Sequence, residues 1–353
     1  MSRGTPTGTV AAQLAELLSA QVAGVREVTV TDVEQVFGGN ARKAWAGTAS
    51  WTEPGGGRRQ EPVIMLSRVP GSQVQADPQR EYAVLRAVGD SAVPAPRVWA
   101  LDADGAVTGA SSVVLQCMPG TADPVAYLGS RDHIEARALT VDLARAAAAL
   151  HAVDVAETAG LGDVLGAAGD ARATVAAQVE YWRSVFLECR LEPLPVLAHL
   201  FGWLLDNVPE PARLAVVHGD LRPGNFLYEG PSLVALLDWE MVHLGDPVED
   251  LAWIYRPLWS PARFLDLGEF VRRYEEFGGP SVDRAALLYY RVLAEVKFAT
   301  ISVRAARAFA DRVTTNLRLA DRAATVTASL ALALDLVAER ESLLRGATEG
   351  ALC

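Results

Sequence analysis

Lysine is almost absent from this sequence: Lys43 and Lys297 are the only two among 353 residues, and arginine supplies the other basic side chains. A GC-rich genome is enough to explain this bias, so the bias carries no functional weight by itself. Acidic residues outnumber basic residues by 43 to 32, which gives a net charge of -11. This excess of negative charge argues against nucleic acid as the main partner.

Cysteine and histidine are also scarce. The three cysteines, Cys117, Cys189 and Cys353, are widely spaced and odd in number. Such a pattern predicts neither a disulfide framework nor a cysteine metal site. The five histidines do not occur in pairs at the spacing of zinc ligands, so zinc is not expected.

Long apolar runs are missing. No run reaches membrane-spanning length, and the opening residues MSRGTPTGTV lack the apolar core of a signal peptide. We therefore expect a soluble, cytoplasmic protein with no membrane partner, and the sequence does not choose between a monomer and a homodimer. Half of the residues are hydrophobic, which allows a large core, and the length favours two lobes.

The most informative stretch, residues 218–240, reads HGDLRPGNFLYEGPSLVALLDWE. Asp220 lies on a turn after an apolar run, and Asn225 follows five residues later. Two short apolar runs separated by a Gly-Pro turn then predict a β-hairpin, and Asp238 follows its second strand. The mouth of this hairpin would collect two carboxylates and one amide.

Phosphoryl transfer uses this set of groups. It needs a magnesium ion on the phosphates, oxygen ligands for that ion, and a carboxylate that orients the attacking hydroxyl. An Asp followed five residues later by an Asn, with a second Asp after a strand, is the kinase arrangement. The alternative is that the carboxylates are turn residues and helix caps, which applies most to Asp246 and Asp250.

The motifs HGDLRPGN, LLDWE and GDPVEDLAW resemble the aminoglycoside-phosphotransferase-like branch of the protein-kinase-like fold. The resemblance extends over roughly residues 25–300. It implies an α+β fold with a small N-terminal antiparallel β lobe carrying one helix, residues 1–118, and a larger, mainly helical lobe, residues 119–353. It also implies that Asp220 is the catalytic base and that Asn225 and Asp238 are the metal ligands.

A glycine turn at Gly38, Gly39 and Asn40 separates two predicted strands. By itself this turn favours a plain hairpin. The resemblance implies instead that its backbone N–H groups approach the phosphates of the nucleotide.

The strand over residues 62–68 departs from the family. It carries no lysine, and a strict register places Ser67 at the usual basic position. Arg68 is the nearest substitute, although neighbouring residues of a strand face opposite sides. Arg68 is therefore either the phosphate contact or a solvent-facing arginine. Glu81 resembles the helix glutamate that pairs with the phosphate-binding cation, and a helix N-terminal role is its alternative.

The segment VVLQCMPG resembles the hinge between the lobes. The resemblance implies that backbone groups around Gln116, Cys117 and Met118 bind the nucleotide base. A core strand that ends at Pro-Gly is the alternative.

Beyond the hinge the sequence becomes helical. His151 is interpreted as a packing or capping residue rather than a catalytic one, and Tyr181 and Trp182 as core residues rather than ligand contacts. A basic stretch, residues 283–322, is interpreted as a solvated helix face. If it were functional, it would suit a phosphate-bearing or carboxylated acceptor. Helices are predicted at residues 136–151, 265–277, 284–309 and 316–344, with a loop at 155–173.

These features predict an ATP- and Mg²⁺-dependent small-molecule kinase that phosphorylates a hydroxyl of a metabolite, a hydroxyacyl-CoA, a natural product or an antibiotic. GTP remains open as the donor. The motifs DWE, QVEYWR and VPAPRV resemble the subgroup of kinase-like domains fused to acyl-CoA dehydrogenases. A non-catalytic nucleotide-binding pseudokinase is the alternative, motivated by the missing lysine.

Overall fold

The computed structural model describes residues 7–36, 42–68, 77–89, 91–158, 160–166 and 170–350, with side chains up to residue 346. Gly38, Gly39 and Asn40 lie outside the described residues, so their predicted role stays a prediction. Within these ranges no helix is both long enough and apolar enough to cross a membrane.

The first half of the chain forms a five-stranded antiparallel sheet in the order β1-β2-β3-β5-β4. A tight turn joins β2 to β3, because the N–H of Glu53 donates to the carbonyl of Gly57 over 2.8 Å and Gly56 adopts a φ of 85°. The strands are β1 (Arg26–Val36), β2 (Arg42–Thr52), β3 (Arg58–Arg68), β4 (Val98–Asp102) and β5 (Ser112–Gln116).

Two helices accompany this sheet, where the resemblance implied one. Helix α1 (Thr7–Gln21) buries Leu14 and Leu18 in a core shared with Trp51 and Met65 of the sheet. Helix α2 (Pro78–Val88) begins at Asp77, whose carboxylate accepts hydrogen bonds from two backbone N–H groups of the first turn, with proline at the first helical position.

The chain then becomes mainly helical. Aspartates cap the N-termini of several of these helices, including Asp132, Asp170 and Asp283. The helices are α3 (Pro124–Leu128), α4 (His133–His151), α5 (Leu161–Leu165), α6 (Ala171–Cys189), α7 (Pro195–Asp206), α8 (Val248–Ile254), α9 (Leu267–Glu276), α10 (Arg284–Ala310), α11 (Leu317–Asp321) and α12 (Val326–Gly350).

Two predicted segments differ from the structure. The predicted loop at residues 155–173 contains the short helix α5. The predicted single helix at residues 316–344 is divided by a 3₁₀ turn, Arg322–Thr325, which separates α11 from α12. Helix period alone did not show this break, because the apolar residues continue on both sides of it.

The predicted hairpin is present as β7 (Phe226–Glu229) and β8 (Ser232–Leu236), which form a two-stranded sheet. A second two-stranded sheet pairs β6 (Ala215–Val217) with β9 (His243–Gly245) in antiparallel fashion, with Val217 opposite His243. Asp220 therefore follows β6, and Asp238 follows β8.

The chain divides into two compact units. The first contains residues 1–121 together with 227–229 and 234–240, and the second contains the remaining residues. The sequence division at residues 118 and 119 had assigned the whole hairpin, with Asp238, to the second lobe. In the structure Asp238 belongs to the first unit.

Candidate active site

The backbone that carries Asp220 is fixed by a buried carboxylate. Asp250, which is fully buried on α8, accepts hydrogen bonds from the backbone N–H groups of His218 (2.8 Å) and Gly219 (2.9 Å). Gly219 has a φ of 79°, and a Cβ at this position would lie 2.5 Å from the carbonyl oxygen of Met241. Only glycine fits this turn.

Asp250 is itself held by His151. The Nε2 atom of His151 lies 3.1 Å from the Asp250 carboxylate, and its Nδ1 atom lies 2.9 Å from the hydroxyl of Tyr274. Burial alone would raise the pKa of Asp250, but His151 and the N–H groups around His218 lower it below its ordinary value. Asp250 therefore anchors the loop as an anion rather than capping a helix.

Three donors orient the carboxylate of Asp220. Its Oδ1 atom accepts from the indole N–H of Trp253 (2.7 Å) and from Nε of Arg222 (3.0 Å), and its Oδ2 atom accepts from the amide of Asn225 (2.6 Å). The same amide nitrogen donates to the backbone carbonyl of Asp220 (2.8 Å). The oxygen of the Asn225 side chain is thereby turned away from Asp220, as a metal ligand requires.

A buried lysine supports the same loop. The Nζ atom of Lys297, which is 1% exposed, donates to the carbonyl of Gly219 (2.5 Å) and to Glu249 (3.0 Å). It also lies 4.6 Å from the centre of the Trp253 ring. Burial would raise the pKa of Glu249, but Lys297 and His243 lower it to about 2.

A second polar cluster lies in the first unit. Arg42, on β2, donates one hydrogen bond of 2.9 Å to each carboxylate oxygen of Glu81. Its guanidinium also lies 3.6 Å from Asp238 and 3.7 Å from Glu240. Burial would lower the pKa of Arg42, but Glu81, Asp238 and Glu240 raise it above its ordinary value.

This pairing corrects one sequence expectation. Glu81 was expected to pair with a cation of β3, for which Arg68 was the candidate, whereas the structure pairs Glu81 with Arg42 of β2. Arg68, at the end of β3, donates its backbone N–H to Ser111 (2.9 Å). A direct phosphate contact by Arg68 stays a prediction.

Asp238 adopts an unusual backbone conformation, with a φ of 62°. Its side chain is 40% exposed, in contrast to the buried side chains of Arg42 and Glu81. Non-glycine residues in this region are uncommon, and strain of this kind concentrates at functional sites. The conformation is consistent with a residue placed for a ligand.

Two backbone N–H groups of the predicted hinge segment already donate hydrogen bonds within the protein. The N–H of Gln116 donates to the carbonyl of Arg97 (2.7 Å), and the N–H of Cys117 donates to the carbonyl of Pro62 (2.8 Å). These two N–H groups therefore do not bind a base, which leaves the carbonyl groups and Met118 for that predicted role. Burial raises the pKa of the Cys117 thiol.

Trp182 and Tyr181, which were interpreted as core residues, lie where the sequence predicted. Trp182 is 2% exposed and lies in the main helical core, where Tyr181 packs against its edge.

The basic stretch, residues 283–322, contains both surface and partly buried arginines. Arg307 pairs with Asp311 on an exposed surface. Burial and the charge of nearby Arg222 lower the pKa of Arg322, and Asp220 raises it. Arg322 therefore interacts electrostatically with the residues of the Asp220 loop.

Three important side chains were not predicted: Arg42, Trp253 and Lys297. The sequence could have indicated Lys297, because a lone lysine within an apolar helical segment needs a partner when it is buried. Arg42 follows directly after the glycine turn, but nothing local links it to a residue 39 positions later.

Comparison with known proteins agrees with the motifs. The model of the phosphotransferase enzyme family matches residues 55–288. Acyl-CoA dehydrogenase family member 10 of Mus musculus is 27% identical over 214 residues, which cover 60% of this chain and 20% of that protein. The chain thus spans about a fifth of the length of this relative. These matches confirm the family and the subgroup that the motifs indicated.

Two solved structures show the fold. A candidate aminoglycoside phosphotransferase from Ralstonia eutropha JMP134 aligns with a TM-score of 0.69 and 21% identity, over 95% of this chain and 98% of that chain. Aminoglycoside phosphotransferase APH(4)-Ia, in a ternary complex with AMP-PNP and hygromycin B, aligns with a TM-score of 0.54 and 16% identity, over 93% and 98% of the two chains. They confirm the predicted α+β, protein-kinase-like fold.

Proposed function

This chain belongs to the phosphotransferase enzyme family, and on that premise we propose that it transfers the γ-phosphate of ATP to a hydroxyl group of a small anionic molecule. The observation that carries the proposal is the carboxylate of Asp220, held by Trp253, Arg222 and Asn225 on a loop whose backbone is anchored by Asp250. A packing residue needs no such set of donors.

In the proposed reaction the hydroxyl oxygen of the acceptor attacks the γ-phosphorus of ATP. The bond from phosphorus to the bridging oxygen of ADP breaks, and the hydroxyl proton passes to Asp220. The Oδ2 atom is the suitable acceptor, because Oδ1 already accepts from both Trp253 and Arg222. Most of the rate enhancement comes from positioning and from the neutralisation of charge.

Asn225 and Asp238 are the proposed ligands of Mg²⁺, which neutralises charge on the phosphates when it is bound. The donor set fits a hard cation, since it offers an amide oxygen and a carboxylate. Among the described residues no cluster of three or more His, Cys, Asp or Glu side chains gathers as a metal site. A magnesium ion shared with phosphate oxygens and water needs only one or two protein carboxylates.

The acceptor is proposed to carry negative charge because of Arg322. This arginine is half-buried, has no ion pair among the described residues, and interacts electrostatically with Asp220 and Arg222. A hydroxyacyl-CoA is the first acceptor to test, given the name of the mouse relative. An aminoglycoside is polycationic and is disfavoured by this arginine. The crystallised complex with AMP-PNP supports ATP as the donor.

The test is ATP turnover by the purified protein, with and without Mg²⁺, against separate pools of hydroxyacyl-CoA esters, other hydroxylated metabolites, macrolides and aminoglycosides. Asp220→Asn removes the base, and Asp206→Asn, an exposed aspartate of α7, is the matched control. We expect turnover with an anionic pool that depends on Mg²⁺, is lost in Asp220→Asn and is retained in Asp206→Asn. Nucleotide binding without turnover in any pool would support the pseudokinase alternative.

A further inference from the structure

A kinase of this fold needs a cation that holds the nucleotide phosphates, and β3 does not provide one at the expected position. The register of β2 and β3 shows why. Arg42 lies opposite Arg68, and Lys43 lies opposite Ser67. Residues directly opposite one another share a face of a sheet, and sequence neighbours lie on opposite faces. Ser67 and Arg42 therefore lie on different faces.

On the face that carries Ser67, Lys43 lies directly opposite Ser67 and is exposed. The hydroxyl of Ser67 accepts a hydrogen bond of 2.8 Å from Ser112, which is 2% exposed. Two residues earlier on the same face, Met65 packs in the core that includes α1. A basic side chain at position 67 would therefore lie beside Lys43 and Ser112, on the face opposite Arg42.

Glu81 of helix α2 lies against the face of the sheet that carries Arg42, as the two hydrogen bonds between them require. Glu81 uses one N–H of each terminal nitrogen of the guanidinium, so each of these nitrogens keeps a second N–H. Neither of the other two carboxylates is within hydrogen-bond distance, because Asp238 lies at 3.6 Å and Glu240 at 3.7 Å. Arg42 can thus keep Glu81 and still donate to a further anion.

We propose that Arg42 is the phosphate-binding cation of this chain, moved from β3 to β2, with Glu81 holding its guanidinium in place. This inference rests on the proposed function, since it concerns the same nucleotide. Arg42 is rigid, because its side chain is only 9% exposed and its partner only 7%. Its guanidinium presents paired N–H groups that match a phosphate better than a single ammonium does.

The competing candidate is Arg68, which shares the face of Arg42 and lies directly opposite it. The two arginines therefore have to be compared in the same experiment. Arg58, exposed at the other end of β3, is the matched control for the loss of one arginine from this sheet.

The experiment is calorimetric titration of Mg²⁺-ATP and of adenosine into the wild-type chain and into Arg42→Ala, Arg42→Lys, Arg68→Ala and Arg58→Ala. Arg42→Ala should weaken ATP binding by about 10-fold to 100-fold, the range for a lost hydrogen-bonded charge, while adenosine binding is retained. Arg42→Lys should fall between wild type and Arg42→Ala, because lysine keeps the charge but not the paired donors. Arg58→Ala should bind both compounds like the wild type.

Three results would overturn the inference. ATP binding that survives in Arg42→Ala would do so, as would a loss confined to Arg68→Ala. An equal loss of ATP and adenosine in Arg42→Ala would show that Arg42 supports the fold rather than the phosphates. If the wild-type chain binds neither compound, the proposed function fails together with this inference.

Discussion

The indole nitrogen of Trp253 donates a 2.7 Å hydrogen bond to the carboxylate of Asp220, 33 positions earlier in the chain. Trp253 is 2% exposed, and its ring faces the ammonium group of Lys297 at 4.6 Å. The same ammonium group binds the carbonyl of Gly219, directly before Asp220. The orientation of the proposed base is therefore set by the helices behind the loop as well as by the loop itself.

Trp253→Phe tests this orientation, because it keeps an aromatic ring but removes the donor to Asp220. We expect kcat to fall by roughly 10-fold, in line with the loss of one hydrogen bond to a charged group, with little change in the KM for ATP. Steady-state kinetics with an acceptor from the pool that supports turnover would measure both kcat and KM. Trp51→Phe removes a similar volume from the core of the five-stranded sheet, where Trp51 packs against Trp99, so its kcat should change much less.

Lys297→Met tests the buried ion pair. Removing one partner leaves the carboxylate of Glu249 unpaired in the interior, so the free energy of unfolding should fall by about 3–5 kcal/mol. Lys43→Met is the control, because Lys43 is the only other lysine and is exposed. Denaturant titration would measure both.

The double variant Lys297→Met with Glu249→Gln should be less destabilised than the sum of its two single variants, since the unpaired charge is then absent. Strict additivity would contradict the ion pair.

The free energy of unfolding at acid pH should depend on the ionisation of Glu249. Its pKa is about 2 in the folded chain and near 4.5 when it is not perturbed, since Lys297 and His243 outweigh the effect of burial. The folded chain thus binds this proton less readily than the unfolded chain does. The stabilisation is complete above pH 4.5 and is lost as the pH falls from about 4.5 to 2.

Free energies of unfolding at several pH values would show this effect. The difference between wild type and Glu249→Gln should be largest above pH 4.5 and should shrink below it. Glu188→Gln, at an exposed position of α6, controls for the loss of one charge. A difference that stays constant with pH would contradict the assignment.

The sequence predicted what depends on local spacing. Asp220 and Asn225 are five positions apart and meet in one hydrogen-bonded unit. The hairpin that precedes Asp238 is present, and its Gly-Pro turn is where the sequence placed it. Turn residues and short apolar runs determine such features through a few neighbouring side chains.

The sequence could not predict partners that are distant along the chain. Several cations were available for Glu81. The register of β2 and β3 puts Arg42 on the face opposite Lys43 and on the same face as Arg68, so the choice of Arg42 over Arg68 depends on how α2 lies against the sheet. A shift of one residue in register would exchange the faces. The contact between Lys297 and Gly219 joins positions 78 residues apart, so it depends on how α10 packs and not on any local pattern.

Asp238 offers a test in which backbone strain and chemistry can be separated. Its φ of 62° is unfavourable for an L-residue with a Cβ. Asp238→Ala and Asp238→Gly both remove the carboxylate and its contact with Arg42, but only glycine relieves the strain. Relief of the backbone strain should stabilise Asp238→Gly by about 1–2 kcal/mol. The more flexible unfolded chain of the glycine variant offsets about 0.4–1 kcal/mol of this gain, so Asp238→Gly should be more stable than Asp238→Ala by about 1 kcal/mol, as thermal unfolding would show.

Both variants should lose Mg²⁺-dependent turnover, which turnover assays on the same preparations would check. If Asp238→Gly retained turnover, the carboxylate would not be the metal ligand.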